Sequence, residues 1–178
     1  VRKWNDCDVN SALPYNRPIG LTMRVLDGPD FNLIKYRGQA VLLQIFATWC
    51  GPCNKEMPHT VVAAQEYAPR GLAVIGIDFG EEDNTVRAFR KRYGIPFPIA
   101  MDAKGTFVRA LEIGNVAESV NFPVTLFIDP NGYLYCDVIG GMSSGELHYR
   151  IEHFLAVSAP ALLPKPSPSP PPTQQFHI

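Results

Sequence analysis

Apolar positions in this chain recur with two different periods, and the switch between them outlines its elements. Residues 23–26 and 31–33 are short strand-like stretches on either side of Asp27-Gly28-Pro29-Asp30, which predicts a hairpin turning at those four residues. Residues 41–46 form a nearly continuous apolar run, the mark of a strand covered on both faces. Beyond it Met57, Val61, Ala64 and Ala68 recur at helical spacing, and Pro58 inside that segment predicts a bend. Residues 72–77 read as a second buried strand, and Val86, Phe89 and Tyr93 mark one face of the helix that follows.

The second half continues the alternation. Residues 99–101 predict a short strand and 106–113 a short helix. Residues 124–128 and 133–139 predict two strands joined at Asp129-Pro130-Asn131-Gly132, where Asn131 and Gly132 tolerate positive φ. Leu147, Ile151 and Phe154 then mark a closing amphipathic helix. The order is hairpin, βαβ, α, ββ, α. It predicts an α/β fold, a mixed central sheet flanked by helices.

Composition changes the picture at the ends. Seven prolines between Pro160 and Pro172 favour extended, polyproline-like chain, so residues 158–178 read as a flexible tail. Residues 1–18 read as an N-terminal arm and 19–157 as one folded domain. The 178 residues carry 46% hydrophobic residues and a formal net charge of −1, which gives one well-filled core and no basic field for nucleic acid. No run approaches the roughly 18 apolar residues needed to span a bilayer. The chain opens at Val1 rather than Met, so its start does not argue against removal of a signal peptide or membrane anchor.

The candidate chemistry lies where the first buried strand hands over to a helix, at Trp49-Cys50-Gly51-Pro52-Cys53. Two thiols two residues apart at a helix start read as a thiol–disulfide exchange centre. Cys50 is the nucleophile, because unpaired N–H groups and the helix dipole favour a thiolate there. Cys53 is the resolving thiol. Gly51 allows the tight turn, and Pro52 needs no N–H in the first helical turn. The competing reading is half a zinc site, but zinc takes four ligands and Cys7 and Cys136 stand apart. His59 lies beyond the turn that holds Cys53 and reads as exposed and non-catalytic. His148 and His153 are five apart, off the spacing of a metal pair, and His177 is in the tail. No metal or other cofactor is expected. With Cys50 and Cys53 paired by the exchange argument, Cys7–Cys136 is the complementary structural disulfide, and the competing reading leaves both as thiols.

Two other function classes fit the same thiols less well. A peroxidase would want a Thr-x-x-Cys-like setting, whereas Thr48 is only two residues before Cys50. A non-catalytic binding module has no use for paired thiols at a helix start.

Larger stretches of the chain resemble the TlpA/ResA-type branch of the thioredoxin superfamily. The resemblance is carried by Phe-Ala-Thr-Trp-Cys-Gly-Pro-Cys with Glu56-Met57-Pro58, and by Leu26-Asp27-Gly28 through Tyr36-Arg37-Gly38. Gly80-Glu81, Phe89, Tyr93-Gly94 and Phe97-Pro98 resemble the branch's central insertion. Phe122-Pro123-Val124-Thr125 with Phe127-Ile128-Asp129 resembles the stretch around its cis-proline. The resemblance implies a thioredoxin-like sheet with an N-terminal hairpin and a central βα insertion, and a cis bond before Pro123 that turns the Phe122 backbone toward the thiols. It also implies a protein-disulfide reductase in a periplasmic or other extracytoplasmic space, membrane-anchored in many members. Its substrates would be apocytochrome c or copper-site assembly proteins, and its electron donor a membrane thiol reductase of the CcdA/DsbD group. Trp49, Pro52, Phe122 and Pro123 would form the substrate-binding surface.

Two departures from related patterns bear on mechanism. Cytoplasmic thioredoxins carry a buried Asp six residues before the first Cys, and here that position is Gln44, which cannot relay a proton. Residues 114–121 make a longer approach to Pro123 than the branch usually has. Glu81 matches the acidic residue of the insertion, and the resemblance puts it near the thiols as a replacement for the missing carboxylate. Partly buried, it would be protonated, trade a proton with Cys53 and tune the cysteine pKa values. The plainer reading of Gly80-Glu81-Glu82-Asp83 is an acidic helix start, with Asp83 capping and Glu82 facing solvent.

Overall fold

The hairpin turns two residues earlier than the Gly-Pro pair suggests. In the computed structural model, which describes residues 18–111 and 121–159, β1 (Thr22–Val25) pairs antiparallel with β2 (Gly28–Asn32) through Val25↔Gly28. The turn is therefore Leu26–Asp27, with Asp27 at φ 55, and Gly28, Pro29 and Asp30 lie in the strand. Pro29 is tolerated because β2 is the sheet edge, where a missing N–H breaks no ladder.

All seven residues of β3 (Ala40–Phe46) are buried, as a strand covered on both faces requires. It runs parallel to β4 (Leu72–Phe79) and antiparallel to β6 (Val124–Ile128). The β4 strand is two residues longer than its apolar run and ends with Asp78 buried inside it. The α1 helix (Gly51–Tyr67) continues through Pro58, and α2 (Asp83–Tyr93) leads into β5 (Ile99–Asp102), parallel to β4. The short α3 (Thr106–Ala110) follows; the rest of that predicted helix and nearly all of the 114–121 approach lie outside the described residues. The β6–β7 hairpin, with β7 at Leu134–Ile139, turns as expected, although only Gly132 takes positive φ, at 86, and Asn131 does not. The α4 helix (Ser144–Ser158) closes the domain and holds Ser158 buried, where the tail was expected to begin. The arm up to residue 17 and the tail from residue 160 lie outside the described residues.

The seven strands form one mixed sheet in the order β2-β1-β5-β4-β3-β6-β7. Strand alternation fixes what lies on each face. Gln44 meets Glu56 of α1, Phe46 stacks on Phe89 of α2 at 5.2 Å, and Phe127, paired with Leu42, meets Phe154 of α4 at 5.3 Å. Leu42, Gln44 and Phe46 are alternate residues of β3, so α1, α2 and α4 share one face. Phe79 points the other way, under Arg109 of α3. This is the thioredoxin-like architecture with its N-terminal hairpin and inserted α2–β5 unit. The handover from β3 to α1 falls at the C-terminal end of the parallel strands, where Asp78, Gly80 and Glu81 also emerge.

Candidate active site

Cys50 is the N-cap of α1. Its sulfur accepts the Cys53 N–H at 3.1 Å, which puts it on a free donor at the positive end of a 17-residue helix. The two sulfurs are bonded to each other, with Cα atoms 5.2 Å apart. Cys53 is fully buried, and Cys50 is 5% exposed. Accessibility therefore favours Cys50 for attack by or on a partner.

The Phe122–Pro123 peptide is cis, and the Phe122 carbonyl oxygen lies 3.4 Å from Cys50 Sγ. Both residues are buried, the Phe122 carbonyl facing Cys50 and that of Pro123 accepting the Gly140 N–H, while Trp49 and Pro52 are exposed. The Trp49 ring lies edge-on to Phe122 at 6.0 Å, and Phe122 in turn meets Phe79 at 5.2 Å. An apolar rim thus surrounds the disulfide on the side of the cis-proline.

The segment entering the site is clamped from two sides. Asn54 donates to the carbonyls of Thr48 at 2.8 Å and Cys50 at 2.7 Å, and accepts the Tyr93 hydroxyl at 2.7 Å. On the other side Glu81 accepts the Thr48 N–H and the Thr48 hydroxyl, both at 2.6 Å. Glu81 is half-buried and its side chain reaches the active-site segment at Thr48, two residues before Cys50. The plain reading of this stretch needs correction: the N-cap of α2 is Glu82, which makes no side-chain cap bond, and Asp83 pairs with Arg24 instead of capping.

Two buried carboxyl groups were not singled out from the sequence. Glu56 lies three residues beyond Cys53, on the same side of α1, and is almost fully buried. One of its oxygens accepts the Gln44 amide at 2.9 Å and the other the Met142 N–H at 2.5 Å. Burial pushes its pKa above the ordinary carboxylate range, and those two hydrogen bonds only partly oppose the shift. Gln44 therefore marks half of a buried Gln44–Glu56 pair. The carboxylate missing from β3 is present one layer up, on α1. Glu56 also lines an open cavity of about 470 Å³ with Pro52, Lys55, His59, Gly141, Met142 and Ser143. His59, expected to be exposed, is half-buried at this rim. The second group, Asp78, is completely buried, and burial together with the neighbouring Glu81 carboxyl pushes its pKa up to about 8. A signal for it was present: an acid directly after the apolar run 72–77 and followed by Phe79.

Cys136 is buried in β7 and is not a free thiol. Cys7 lies outside the described residues, and with it the Cys7–Cys136 pairing. Among the described residues no cluster of His, Cys, Asp or Glu could hold a metal ion. His148 Nδ1 donates to the Ser144 carbonyl and its Nε2 lies 3.1 Å from a Glu66 carboxylate oxygen, while His153 lies by the Tyr135 hydroxyl.

The AhpC/TSA family profile matches residues 18–135. Thiol-disulfide oxidoreductase ResA of Geobacillus thermodenitrificans is 31% identical over 127 residues, which cover 71% of this chain and 70% of that protein. The chain belongs to the AhpC/TSA family, in its TlpA/ResA-type branch. Thioredoxin-like protein YneN of Bacillus subtilis is 31% identical over 134 residues, 74% of either chain. A thiol:disulfide interchange protein of Chlorobium tepidum superposes with a TM-score of 0.68 at 27% identity, covering 78% of this chain and 97% of that one. In this TlpA/ResA-type protein, Cys50–Cys53 is the redox-active disulfide of a thiol–disulfide oxidoreductase.

Proposed function

We propose that this protein reduces protein disulfides outside the cytoplasm, with Cys50 as the attacking thiolate and Cys53 as the resolving thiol. The observation that carries this reading is the placement of Cys50 Sγ: on the Cys53 N–H at the start of α1, beside the Phe122 carbonyl, and less buried than its partner. The Cys50 thiolate attacks one sulfur of a substrate disulfide, forms a mixed disulfide and expels the other substrate sulfur as thiolate. Cys53 then attacks Cys50 Sγ, releases the second substrate thiolate and closes the Cys50–Cys53 disulfide. Two electrons pass to the substrate. Cys53 must lose its proton to do this in a buried place, and Glu56, one turn along α1 with a raised pKa, takes it up and passes it to the water of the adjoining cavity.

The substrate chain lies along the rim formed by Trp49, Pro52 and the backbone of Phe122 and Pro123. Its cysteines belong to proteins that receive haem or copper, apocytochrome c or copper-site assembly proteins, and a membrane thiol reductase of the CcdA/DsbD group returns the electrons. The likeness to a ResA thiol-disulfide oxidoreductase supports this reading, and the near-neutral charge fits recognition by apolar and backbone contacts. No helix among the described residues is long and apolar enough to cross a membrane. A Cys7–Cys136 disulfide would fasten the N-terminal arm to β7; peptide mapping of unreduced, alkylated protein should recover it as one linked pair, and recovery of alkylated Cys7 would remove it.

Trapping tests the reading. Cys53→Ser leaves Cys50 able to attack but unable to be displaced, so extracytoplasmic extracts should yield disulfide-linked adducts that dithiothreitol releases. Recovery of an oxidase alone, or of no linked protein, would overturn the reductase assignment. We also propose that Glu81 tunes the site through its hold on Thr48. Glu81→Gln replaces one of the two acceptor oxygens with a donor, and insulin-disulfide reduction should slow by roughly tenfold with a changed pH profile and little loss of fold. An unchanged rate and unchanged cysteine titration from pH 5 to 9 would reduce Glu81 to a loop strut.

A further inference from the structure

Counting donors and acceptors around Glu81 leaves one proton to be placed. Both Glu81 oxygens accept from Thr48: Oε2 from its N–H, which can only donate, and Oε1 from its hydroxyl. Asp78 Oδ2 accepts the Glu81 N–H at 3.1 Å, a return bond that Gly80 makes reachable by turning at φ 73. Asp78 Oδ1 is buried with no hydrogen-bond partner, and burial together with the neighbouring Glu81 carboxyl pushes the Asp78 pKa up. Two neighbouring carboxylates cannot both stay ionised away from water. A proton on Oδ1, donated to Glu81, satisfies every group at once.

We propose that Asp78 and Glu81 share one proton across a buried carboxyl–carboxylate hydrogen bond, and that this acid pair sets the position of the Thr48–Trp49–Cys50 segment, making Asp78 a positioning residue for the nucleophile. The proton resides on Asp78, the fully buried member, and leaves Glu81 as the acceptor that both Thr48 donors require. This replaces the expectation that Glu81 itself carries the proton.

Among the described residues no basic side chain pairs with either carboxyl. From β5, Met101 is paired with Asp78, while Asp102 shares the opposite face with Phe79 and commits both its oxygens to the Phe107 and Val108 N–H groups at the start of α3. Asp83 of α2 is held by Arg24. Arg109 lies over Phe79, which leaves β4 on the opposite face. The buried titratable groups at the start of α1 are Cys50 and Cys53, once reduced, and Glu56, and from β3 it is Phe46 that pairs with Asp78 across the ladder. Loss of the proton therefore puts two carboxylates against each other beneath the active-site segment. Their repulsion weakens the grip of Glu81 on Thr48, and the added negative charge disfavours the Cys50 thiolate. Burial and the Glu81 neighbour place this change near pH 8.

The inference rests on Cys50 as nucleophile for its kinetic consequence, but the proton can be read without any activity. Infrared titration of the oxidised protein, in which the cysteines are silent, should show a protonated-carboxyl C=O band at pH 6.5 that disappears with a midpoint near pH 8. The band should persist in Glu56→Gln, be absent in Asp78→Asn, and move to higher pH in Thr48→Val, which takes one hydrogen bond from the carboxylate. The wild-type and Glu56→Gln titrations stand even where Asp78→Asn fails to fold, and the lack of such a band in both overturns the proposal. In the reduced protein, alkylation of Cys50 should follow two ionisations in the wild type and one in Asp78→Asn, whose rate rises roughly three- to tenfold more between pH 7 and pH 9. Superimposable profiles would remove Asp78 from the positioning of Cys50. A carboxyl titration as described together with no turnover of any disulfide would instead defeat the function proposed above and leave the acid pair in place.

Discussion

A Cys50→Ser variant should reduce no insulin disulfide at any pH between 6 and 9. The serine hydroxyl does not ionise in that range and forms no mixed disulfide, so neither half of the exchange has a starting point. Cys53 cannot take over. It is fully buried in the first turn of α1, whereas Cys50 lies at the helix N-cap, against the Phe122 carbonyl and inside the Trp49 rim. The fold should survive, because the disulfide closes only a four-residue loop, whose loss costs about 2 kcal/mol in a chain-entropy estimate. Insulin turbidity with dithiothreitol as donor, beside near-ultraviolet circular dichroism of the same sample, measures both. Turnover within tenfold of wild type would move the attack to Cys53 and reverse the roles assigned here.

The parts of this site that were legible in the sequence are those where a short stretch of chain fixes its own chemistry. An apolar run ending in Trp-Cys-Gly-Pro-Cys dictates a buried strand, a turn and a helix start within a dozen residues, and the structure places β3, Cys50 and α1 there. The bounds of β6 were equally plain, because Pro123 and the Asp129–Gly132 turn stop it at both ends. The hairpin was misread by two residues because Gly-Pro is strong turn chemistry locally, yet equally at home on an edge strand, and only the sheet order makes β2 an edge.

The carboxyl groups were harder for a different reason. Whether an acid is buried, and which donor reaches it, depends on partners far away in the chain. Glu56 meets Met142, 86 residues on, and Glu81 meets Thr48, 33 residues back. Gln44 read alone announced a missing carboxylate; its partner Glu56 was in plain view in the motif but had no sequence signal of burial beyond its place at i+3 from Cys53. Asp78 had the clearest signal of the three, a charged residue between an apolar run and Phe79, and a buried acid in such a place has to be neutral or paired.

Stability should fall as pH rises from 5 to 8, and Asp78 should account for most of the fall. Its folded pKa is raised to about 8 against an ordinary 3.8, so between those values the folded protein holds a proton that the unfolded chain has released. Unfolding then releases a proton, and stability drops with increasing pH. The favourable contribution is complete below the unfolded pKa and gone once pH passes the folded one. One fully linked proton is worth roughly 3 kcal/mol between pH 5 and pH 7. Glu56, raised by its own burial, adds to the fall with the same sign. The carboxylates lowered by surface pairing with Arg87, Arg24 and Arg70, namely Asp27, Asp83 and Glu152, act only as pH drops through the acid range and leave this window untouched. Asp78→Asn keeps an acceptor for the Glu81 N–H and supplies a donor that never ionises. Guanidinium unfolding of the oxidised proteins should therefore give Asp78→Asn a shallower pH dependence than wild type, with the difference between them growing in favour of the variant up to pH 8 and constant above it. Glu56→Gln should remove only its own, smaller share. Parallel stability curves for wild type and Asp78→Asn would mean that Asp78 is already ionised in the folded protein at pH 7, and that its burial is compensated by something other than a proton.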